Sequence, residues 1–154
     1  MNVLSMKDIK RISSDYKSKG LKIVFANGCF DLLHKGHLDL LNESSKYGDI
    51  LIIGLNSDSS VKKLKGASRP VEDEMKRSQK LMVLDCVDHV IIFKQLTPMK
   101  LISDLKPDVL IKGGDYDLNK IVGADEVVSN GGNVKIIPLT PGFSTTSIIE
   151  KRSI

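Results

Sequence analysis

The feature that most constrains the fold of this chain is a series of five short apolar runs, each rich in β-branched residues and bounded by Gly, Asp or Pro. Continuous apolar runs of this length are typical of strands that are buried on both faces of a parallel sheet. Leucines and valines at helical spacing lie between the runs, so strands and helices alternate. This alternation predicts an α/β fold, a Rossmann-like doubly wound parallel sheet of five strands. The predicted strands cover residues 23–26, 50–55, 90–93, 109–111 and 134–138.

Two further helices are predicted outside this alternation. One runs from about residue 5 to residue 19 and ends at Gly20, because glycine commonly follows the last turn of a helix. The other begins at Ser144, whose side chain can cap a helix that runs to about residue 151. The chain has 154 residues and no internal repeat or linker. We therefore expect one domain over residues 1–154, in which residues 1–20 precede the core.

The composition excludes several classes of protein. Hydrophobic residues make up 41% of the chain and charged residues 27%, as in soluble globular proteins, and no apolar run is long enough to cross a membrane. The net charge of +4 favours a small anionic ligand over a nucleic acid. Cys29 and Cys86 have neither metal-binding nor disulfide spacing, and the first residues lack the apolar core of a secretory signal. We therefore expect a cytoplasmic protein with free thiols.

Polar or glycine-rich segments follow four of the five predicted strands. In a doubly wound sheet, ligands bind beyond the carboxyl ends of the strands, where the connections diverge. These segments should therefore converge on one edge of the sheet and form a common site. They are residues 27–37, 56–69, 112–116 and 140–146.

The segment from Gly28 to His37 carries the most specific chemistry. Its two histidines, His34 and His37, open a helix, where free backbone N–H groups and the helix dipole favour a phosphate group. Gly36 lets a phosphate approach the backbone, and two imidazoles can donate hydrogen bonds to it during phosphoryl transfer. The alternatives are two ordinary histidines on a helix face, or a zinc pair, for which no third ligand is evident. Asp31 either orients a histidine or forms the turn.

Neither of the common glycine-rich phosphate motifs, GxGxxG and GxxxxGK[ST], occurs in the chain, so the phosphates must be held in another way. Cations can compensate the charge of the transition state, and hydroxyl groups at a helix start can bind phosphate oxygens. Taken alone, such residues are more often solvated charges or helix caps. A shared edge with the histidines favours a functional role for Arg77 and Thr145. The candidates are Lys65, Arg69, Arg77, Ser144, Thr145 and Thr146.

These motifs resemble the signatures of the HxGH nucleotidyltransferase superfamily, which here are residues 28–37 and Ser144-Thr145-Thr146. Within the superfamily, the chain is similar to the adenylyltransferases that convert D-glycero-β-D-manno-heptose 1-phosphate to ADP-heptose. The similarity covers nearly all of residues 26–150. Its most specific string is Lys112-Gly113-Gly114-Asp115-Tyr116. The other segments that carry it are residues 64–71 with Arg77, 87–88, 106–111, 131–132 and 142–149.

The resemblance implies in-line attack by a sugar 1-phosphate on the α-phosphorus of ATP, with release of pyrophosphate. It implies Mg²⁺ held by the phosphates, with no metal ligand from the protein. The implied catalytic residues are His34, His37, Lys65 and Arg77, and the implied substrate-binding residues are Asn27, Asn56 and Arg69. The implied nucleotide-binding residues are Gly28, Cys29, Phe30, Asp31, Gly36, Lys112, Gly113, Gly114, Asp115, Ser144, Thr145 and Thr146.

The chain departs from related sequences at two places. Many members of the superfamily have Asn-Pro after an Arg-Pro-Val string, where this chain has Glu72-Asp73. Glycerol-phosphate cytidylyltransferases have Arg-Thr where this chain has Leu139-Thr140, which argues against CTP. The leading alternative is nevertheless a glycerol-3-phosphate cytidylyltransferase-like enzyme acting on another small phosphorylated alcohol. A noncatalytic nucleotide-binding module is the second alternative, but it would have no need for both histidines and Arg77.

The resemblance also implies a cellular setting. The adenylyltransferases of this pathway are often fused to a sugar kinase, which 154 residues cannot contain, so a separate upstream kinase is expected. ADP-heptose feeds lipopolysaccharide core and other surface glycans, which places the protein in the cytoplasm. Members of the family commonly form homodimers. The expected ligands are ATP and a sugar 1-phosphate, with no nucleic acid or membrane partner.

Overall fold

The computed structural model of the protein describes residues 2–114 and 120–139, which form one parallel sheet with helices on both faces. A short 3₁₀ turn, Met6–Asp8, precedes the first helix. The strands are β1 (Asn2–Leu4), β2 (Ile23–Gly28), β3 (Ile50–Asn56), β4 (His89–Phe93), β5 (Val109–Gly113) and β6 (Asn133–Ile137). The helices are α1 (Ile9–Ser18), α2 (Lys35–Ser45), α3 (Asp58–Lys65), α4 (Glu74–Met82), α5 (Met99–Leu105) and α6 (Ala124–Ser129).

The strand order, β1-β4-β3-β2-β5-β6, places β2 at the centre of the sheet. The chain builds outward from β2 through β3 to β4, and then returns to the other side of β2 to add β5 and β6. The two neighbours of β2 therefore lead away in opposite directions, which makes the carboxyl ends of β2 and β5 the topological switch point. A ligand site is expected at this place in a doubly wound sheet.

The doubly wound parallel α/β architecture predicted from the sequence is confirmed, but the predicted number of strands is wrong. The sheet has a sixth strand, β1, whose three residues pair with β4 from Asn2 opposite His89 to Leu4 opposite Ile91. A run this short gives no periodic signal, and it becomes a strand only because the edge of β4 is available to it.

The predicted helix boundaries also need correction. The first helix begins at Ile9, after the 3₁₀ turn, rather than near residue 5. The segment that we expected to be a loop after β3 contains α3, which Ser57 caps by accepting the backbone N–H of Ser60. The predicted last helix, residues 144–151, lies outside the described residues.

Two apolar layers cover the two faces of the sheet. On one face, Phe25 and Ile52 pack with residues of α1, α5 and α6, and on the other, Val24 and Ile53 pack with residues of α2 and α4. Gly54 fits because a Cβ there would lie 2.6 Å from the ring of Phe25. Both faces of the sheet are thus covered by helices, while the carboxyl ends of the central strands are left open. Within the described ranges, no helix combines the length and hydropathy that crossing a membrane requires.

Candidate active site

Two adjoining cavities lie at the carboxyl ends of the central strands. Their volumes are about 480 Å³ and about 160 Å³. Five residues line both cavities and so form the rim between them: Asn27, Gly28, Cys29, Lys65 and Lys112. This rim is built from the ends of β2 and β5 and the last residue of α3, which is the switch point identified from the topology.

The two cavities have different walls. The larger is lined on its far side by apolar residues that follow β4 and β5, among them Leu96, Pro98 and Val122, together with Lys120. The smaller reaches the start of α2 and is lined by His37, Leu40 and Gly113. One side of the rim is therefore partly apolar, and the other faces His37.

His34 and His37 cap the first turn of α2 reciprocally. The Nδ1 of His34 accepts the backbone N–H of His37, and the Nδ1 of His37 accepts the backbone N–H of His34, both at 3.3 Å. The two rings are stacked with their centroids 3.7 Å apart. Because each Nδ1 is an acceptor, each neutral imidazole must carry its proton on Nε2. The local fold thus selects the tautomer that makes both Nε2 atoms hydrogen-bond donors.

The surroundings keep both histidines neutral. Burial, followed by the nearby His34 and Lys65, lowers the pKa of His37 to about 4 from an ordinary value of 6.5, although Asp31 acts in the opposite direction. Burial also lowers the pKa of His34. The ring of Phe30 packs edge-on against His37, with centroids 5.3 Å apart. Near neutral pH the pair therefore presents two uncharged N–H donors at a helix start.

Asp31 lies in the loop between β2 and α2, and its side chain has no exposed surface. Its carboxylate accepts the backbone N–H of Val71 at 2.8 Å and of Glu72 at 3.0 Å, and the Nε–H of Arg69 at 3.2 Å. Burial tends to raise the pKa of Asp31, but these donors outweigh it and hold the pKa below its usual value. Asp31 thus connects the histidine loop to the segment before α4, besides lining the smaller cavity.

Arg77, which the sequence analysis assigns to the phosphates, is completely buried and lines neither cavity. Its guanidinium donates to the carbonyl oxygens of Cys29 and Asn56 at 2.8 Å and of Glu72 at 3.0 Å, and to the carboxylate of Asp58 at 2.8 Å. These bonds tie the carboxyl ends of β2 and β3 to the start of α3. The contacts of Arg77 are therefore those of a structural residue that holds these segments together beneath the cavities.

The other residues implied by the resemblance differ in their contacts. Asn56 is buried and donates to Ser60, and its side-chain oxygen lies 3.9 Å from the Sγ of Cys29. Burial raises the pKa of the Cys29 thiol, although nearby cations oppose it. Arg69 pairs with Asp31 and lines neither cavity. Within the described part of the chain, its Nη2 is buried without a hydrogen-bond partner. Four residues lie outside the described ranges: Asp115, Ser144, Thr145 and Thr146.

Several residues that shape the site were not expected from the sequence. Leu96, Pro98 and Val122 line the larger cavity, and they lie in the connections that follow β4 and β5. Glu72 was noted only as a departure from an Asn-Pro string, yet its carboxylate accepts the backbone N–H of Leu32 at 3.2 Å. These contacts join segments that are far apart in the chain, so no local pattern announces them.

Comparison with known proteins shows the family from the sequence. Residues 25–151 match the family model described as cytidylyltransferase-like. The Bifunctional protein HldE of Geobacter metallireducens is 54% identical over 88% of this chain, and that of Koribacter versatilis is 47% identical over 97% of it. The chain spans only 28% and 31% of the length of those two relatives.

Two solved structures are similar to this fold. The lipopolysaccharide core biosynthesis protein from Thermoplasma volcanium superposes with a TM-score of 0.62 at 33% identity, covering 79% of this chain and 98% of that one. The pantoate-beta-alanine ligase from Francisella tularensis superposes with a TM-score of 0.61 at 16% identity, covering 99% of this chain and 77% of that one. The second similarity concerns the fold alone.

Proposed function

The chain belongs to the cytidylyltransferase-like family, and from this premise we propose that it transfers AMP from ATP to D-glycero-β-D-manno-heptose 1-phosphate, which gives ADP-heptose and pyrophosphate. Two comparisons support a sugar nucleotide product. Relatives about half identical to the chain bear the name HldE, and one structural relative is a lipopolysaccharide core biosynthesis protein. The string from Lys112 to Tyr116 resembles the heptose branch of the superfamily.

The observation that carries the proposal is the stacked pair of neutral histidines, of which His37 lines the smaller cavity. In the proposed reaction, an oxygen of the sugar 1-phosphate forms a bond to the α-phosphorus of ATP, and the bond to pyrophosphate breaks. The attacking oxygen is already anionic near neutral pH, so no general base is required. The chain has to align the two phosphates and stabilise the charge that develops between them.

The Nε2–H groups of His34 and His37 are the donors that would bind the nonbridging oxygens of the α-phosphate. Lys65 and Lys112, on the rim, would compensate the negative charge of the two substrates. The smaller cavity, bounded by His37 and Gly113, would take part of the nucleotide, next to its α-phosphate. The larger, with Lys120, would take the sugar phosphate. The rim then lies between the groups that react.

Mg²⁺ would bind to this site together with the nucleotide. Within the described ranges, no group of three or more His, Cys, Asp or Glu side chains is arranged to hold a metal ion. As the resemblance implies, the triphosphate would supply the ligands of Mg²⁺, and the ion would neutralise charge on the departing pyrophosphate. The use of ATP also fits the cytoplasmic location expected from the sequence.

Leu139 favours ATP over CTP as the nucleotide. Its side chain lies against Gly113 at the smaller cavity, since a Cβ on Gly113 would come within 3.0 Å of Leu139. Glycerol-phosphate cytidylyltransferases resemble this chain but have an arginine in this place. A site built for one base leaves polar groups unmatched with another, so we expect ATP to be used over CTP.

The test measures pyrophosphate release over a two-by-two set, ATP or CTP with the heptose 1-phosphate or glycerol 3-phosphate. We expect kcat/KM for ATP to exceed that for CTP by at least about tenfold, and the preference for the heptose to be larger still. Faster turnover of CTP with glycerol 3-phosphate would move the protein to the cytidylyltransferase alternative. Absence of pyrophosphate release with all four pairs would contradict both.

A further inference from the structure

The loop that carries the histidines has a backbone conformation that needs support from outside. Phe30 and Leu32 both adopt left-handed conformations, with φ of 47° and 55°. Residues with side chains rarely adopt this region, and they stay there only when surrounding contacts hold them. His34 follows Leu32 by two residues, so the backbone of Leu32 governs where the histidine pair is presented.

Glu72 provides such a contact from a segment 40 residues away in the chain. Its side chain is nearly buried, and one carboxylate oxygen accepts the backbone N–H of Leu32 at 3.2 Å. The other pairs with the ammonium of Lys80 at 2.5 Å and lies 3.7 Å from that of Lys76. These two lysines, both on α4, balance the charge and hold the carboxylate in place.

Asp31 and Glu72 make this contact reciprocal. The carboxylate of Asp31 accepts the backbone N–H of Glu72, while the carboxylate of Glu72 accepts the backbone N–H of Leu32. We call these two carboxylates, with the backbone groups that they bind, the carboxylate clasp. The backbone oxygen of Glu72 also accepts from the buried Arg77. The clasp therefore fixes the histidine loop to the start of α4 from both sides.

We propose that Glu72 is a positioning residue for the histidine pair, acting through the backbone of Leu32 without touching a substrate. This inference rests on the proposed function only for its effect on rate. In structural terms, we expect that loss of the carboxylate frees the backbone of Leu32. The reciprocal caps of the two histidines and the burial of His37 are then lost. An exposed His37 without its cap should accept a proton more readily.

The experiment compares Glu72→Ala with Glu72→Gln by NMR titration of the imidazoles in the full chain. In Glu72→Ala we expect the pKa of His37 to rise by at least about one unit, because burial is the main cause of its low value. A direct charge effect would have the opposite sign, since removing a nearby carboxylate disfavours the imidazolium. In Glu72→Gln the amide oxygen can still accept from Leu32, so His37 should titrate as in the wild type.

A matched control separates positioning from lost stability. Like Glu72, Asp108 accepts a backbone N–H from a distant segment with its carboxylate, in this case that of Ile23 at 2.8 Å, at the opposite end of β2. Asp108→Ala should lower the melting temperature without changing the titration of His37. If Glu72→Ala does not fold, Glu72→Asp serves instead, because it keeps the charge but is one methylene too short to keep both contacts.

The kinetic arm uses pyrophosphate release from ATP and the heptose 1-phosphate. We expect kcat of Glu72→Ala to fall at least about tenfold, with KM for ATP changed much less, and Glu72→Gln to recover most of it. An unchanged titration of His37 in both Glu72→Ala and Glu72→Asp would overturn the positioning role. If the wild type releases no pyrophosphate, the proposed function fails, while the titration still decides the role of Glu72.

Discussion

In β2, Ile23 to Ala26 are buried among apolar side chains, whereas in the loop that follows it the buried side chain of Asp31 is held by three hydrogen bonds. The strand is stabilised by close packing of apolar side chains on each face, and this stabilisation is distributed over many contacts. The loop depends on a few directional bonds and on two left-handed residues. Substitutions in the strand should therefore affect stability, and substitutions in the loop should affect the chemistry.

The largest effect is expected in the strand. Phe25 is fully buried and packs over Gly54, so Phe25→Ala should lower the free energy of unfolding by about 3–5 kcal/mol, from lost burial and the cavity left behind. Urea unfolding measures this loss. Phe25→Leu is the control and should cost less than about half as much. Pyrophosphate release per folded molecule should stay near the wild-type rate in both, and a selective loss of rate in Phe25→Ala would break the comparison.

Arg77 lies between the two regions, and Arg77→Lys tests to which of them it belongs. A lysine keeps the charge but cannot reach the four acceptors of the guanidinium, so the cost to stability should be on the order of 3 kcal/mol. Urea unfolding and kcat/KM are measured on the same preparation. Unchanged stability with a large loss of kcat/KM would show that Arg77 acts on the phosphates instead.

A somewhat smaller effect in free energy is expected in the loop, but on rate. His34→Ala and His37→Ala should each lower kcat by at least about 10²-fold, equivalent to about 2.7 kcal/mol, because each removes a donor to the transition state. The third histidine offers a matched control. His89 bonds to Tyr16 at 2.6 Å near the amino end of β4, so His89→Gln should leave kcat within a few-fold of the wild type. Equal rates in all three variants would remove the catalytic assignment.

The smallest effect, taken over one pH unit, is expected as a slope of stability with pH. The pKa of His37 is about 4 in the folded protein and near 6.5 when unfolded, so the unfolded chain binds more protons between these values. Stability from this group is complete above pH 6.5 and falls as the pH drops toward 4, by at most about 1.4 kcal/mol per pH unit. Urea midpoints of the wild type should show this slope, and those of His37→Asn should lack its share. Parallel profiles would mean that His37 titrates normally.

The sequence predicts the strands of the core because their signal is local. Runs such as residues 50–55 and 109–111 are recognisable from their own apolar and β-branched residues, whatever they pack against. The observed strands contain both runs. The histidine pair at a helix start is likewise visible locally, because His34 and His37 are only three positions apart. In contrast, β1 becomes a strand only when it meets β4, and α3 carries few apolar residues to mark its face.

The sequence by itself therefore determined the parallel α/β architecture, the edge of the sheet at which the two adjoining cavities lie, and the presence of two histidines at a helix start. Only the tertiary structure decided the tautomer of those histidines, the inward direction of Arg77, and the contact of Glu72 with Leu32. The physical reason is the range of the interactions. Apolar periodicity is written into neighbouring residues, but a directional hydrogen bond requires a partner that folding brings from a distant part of the chain.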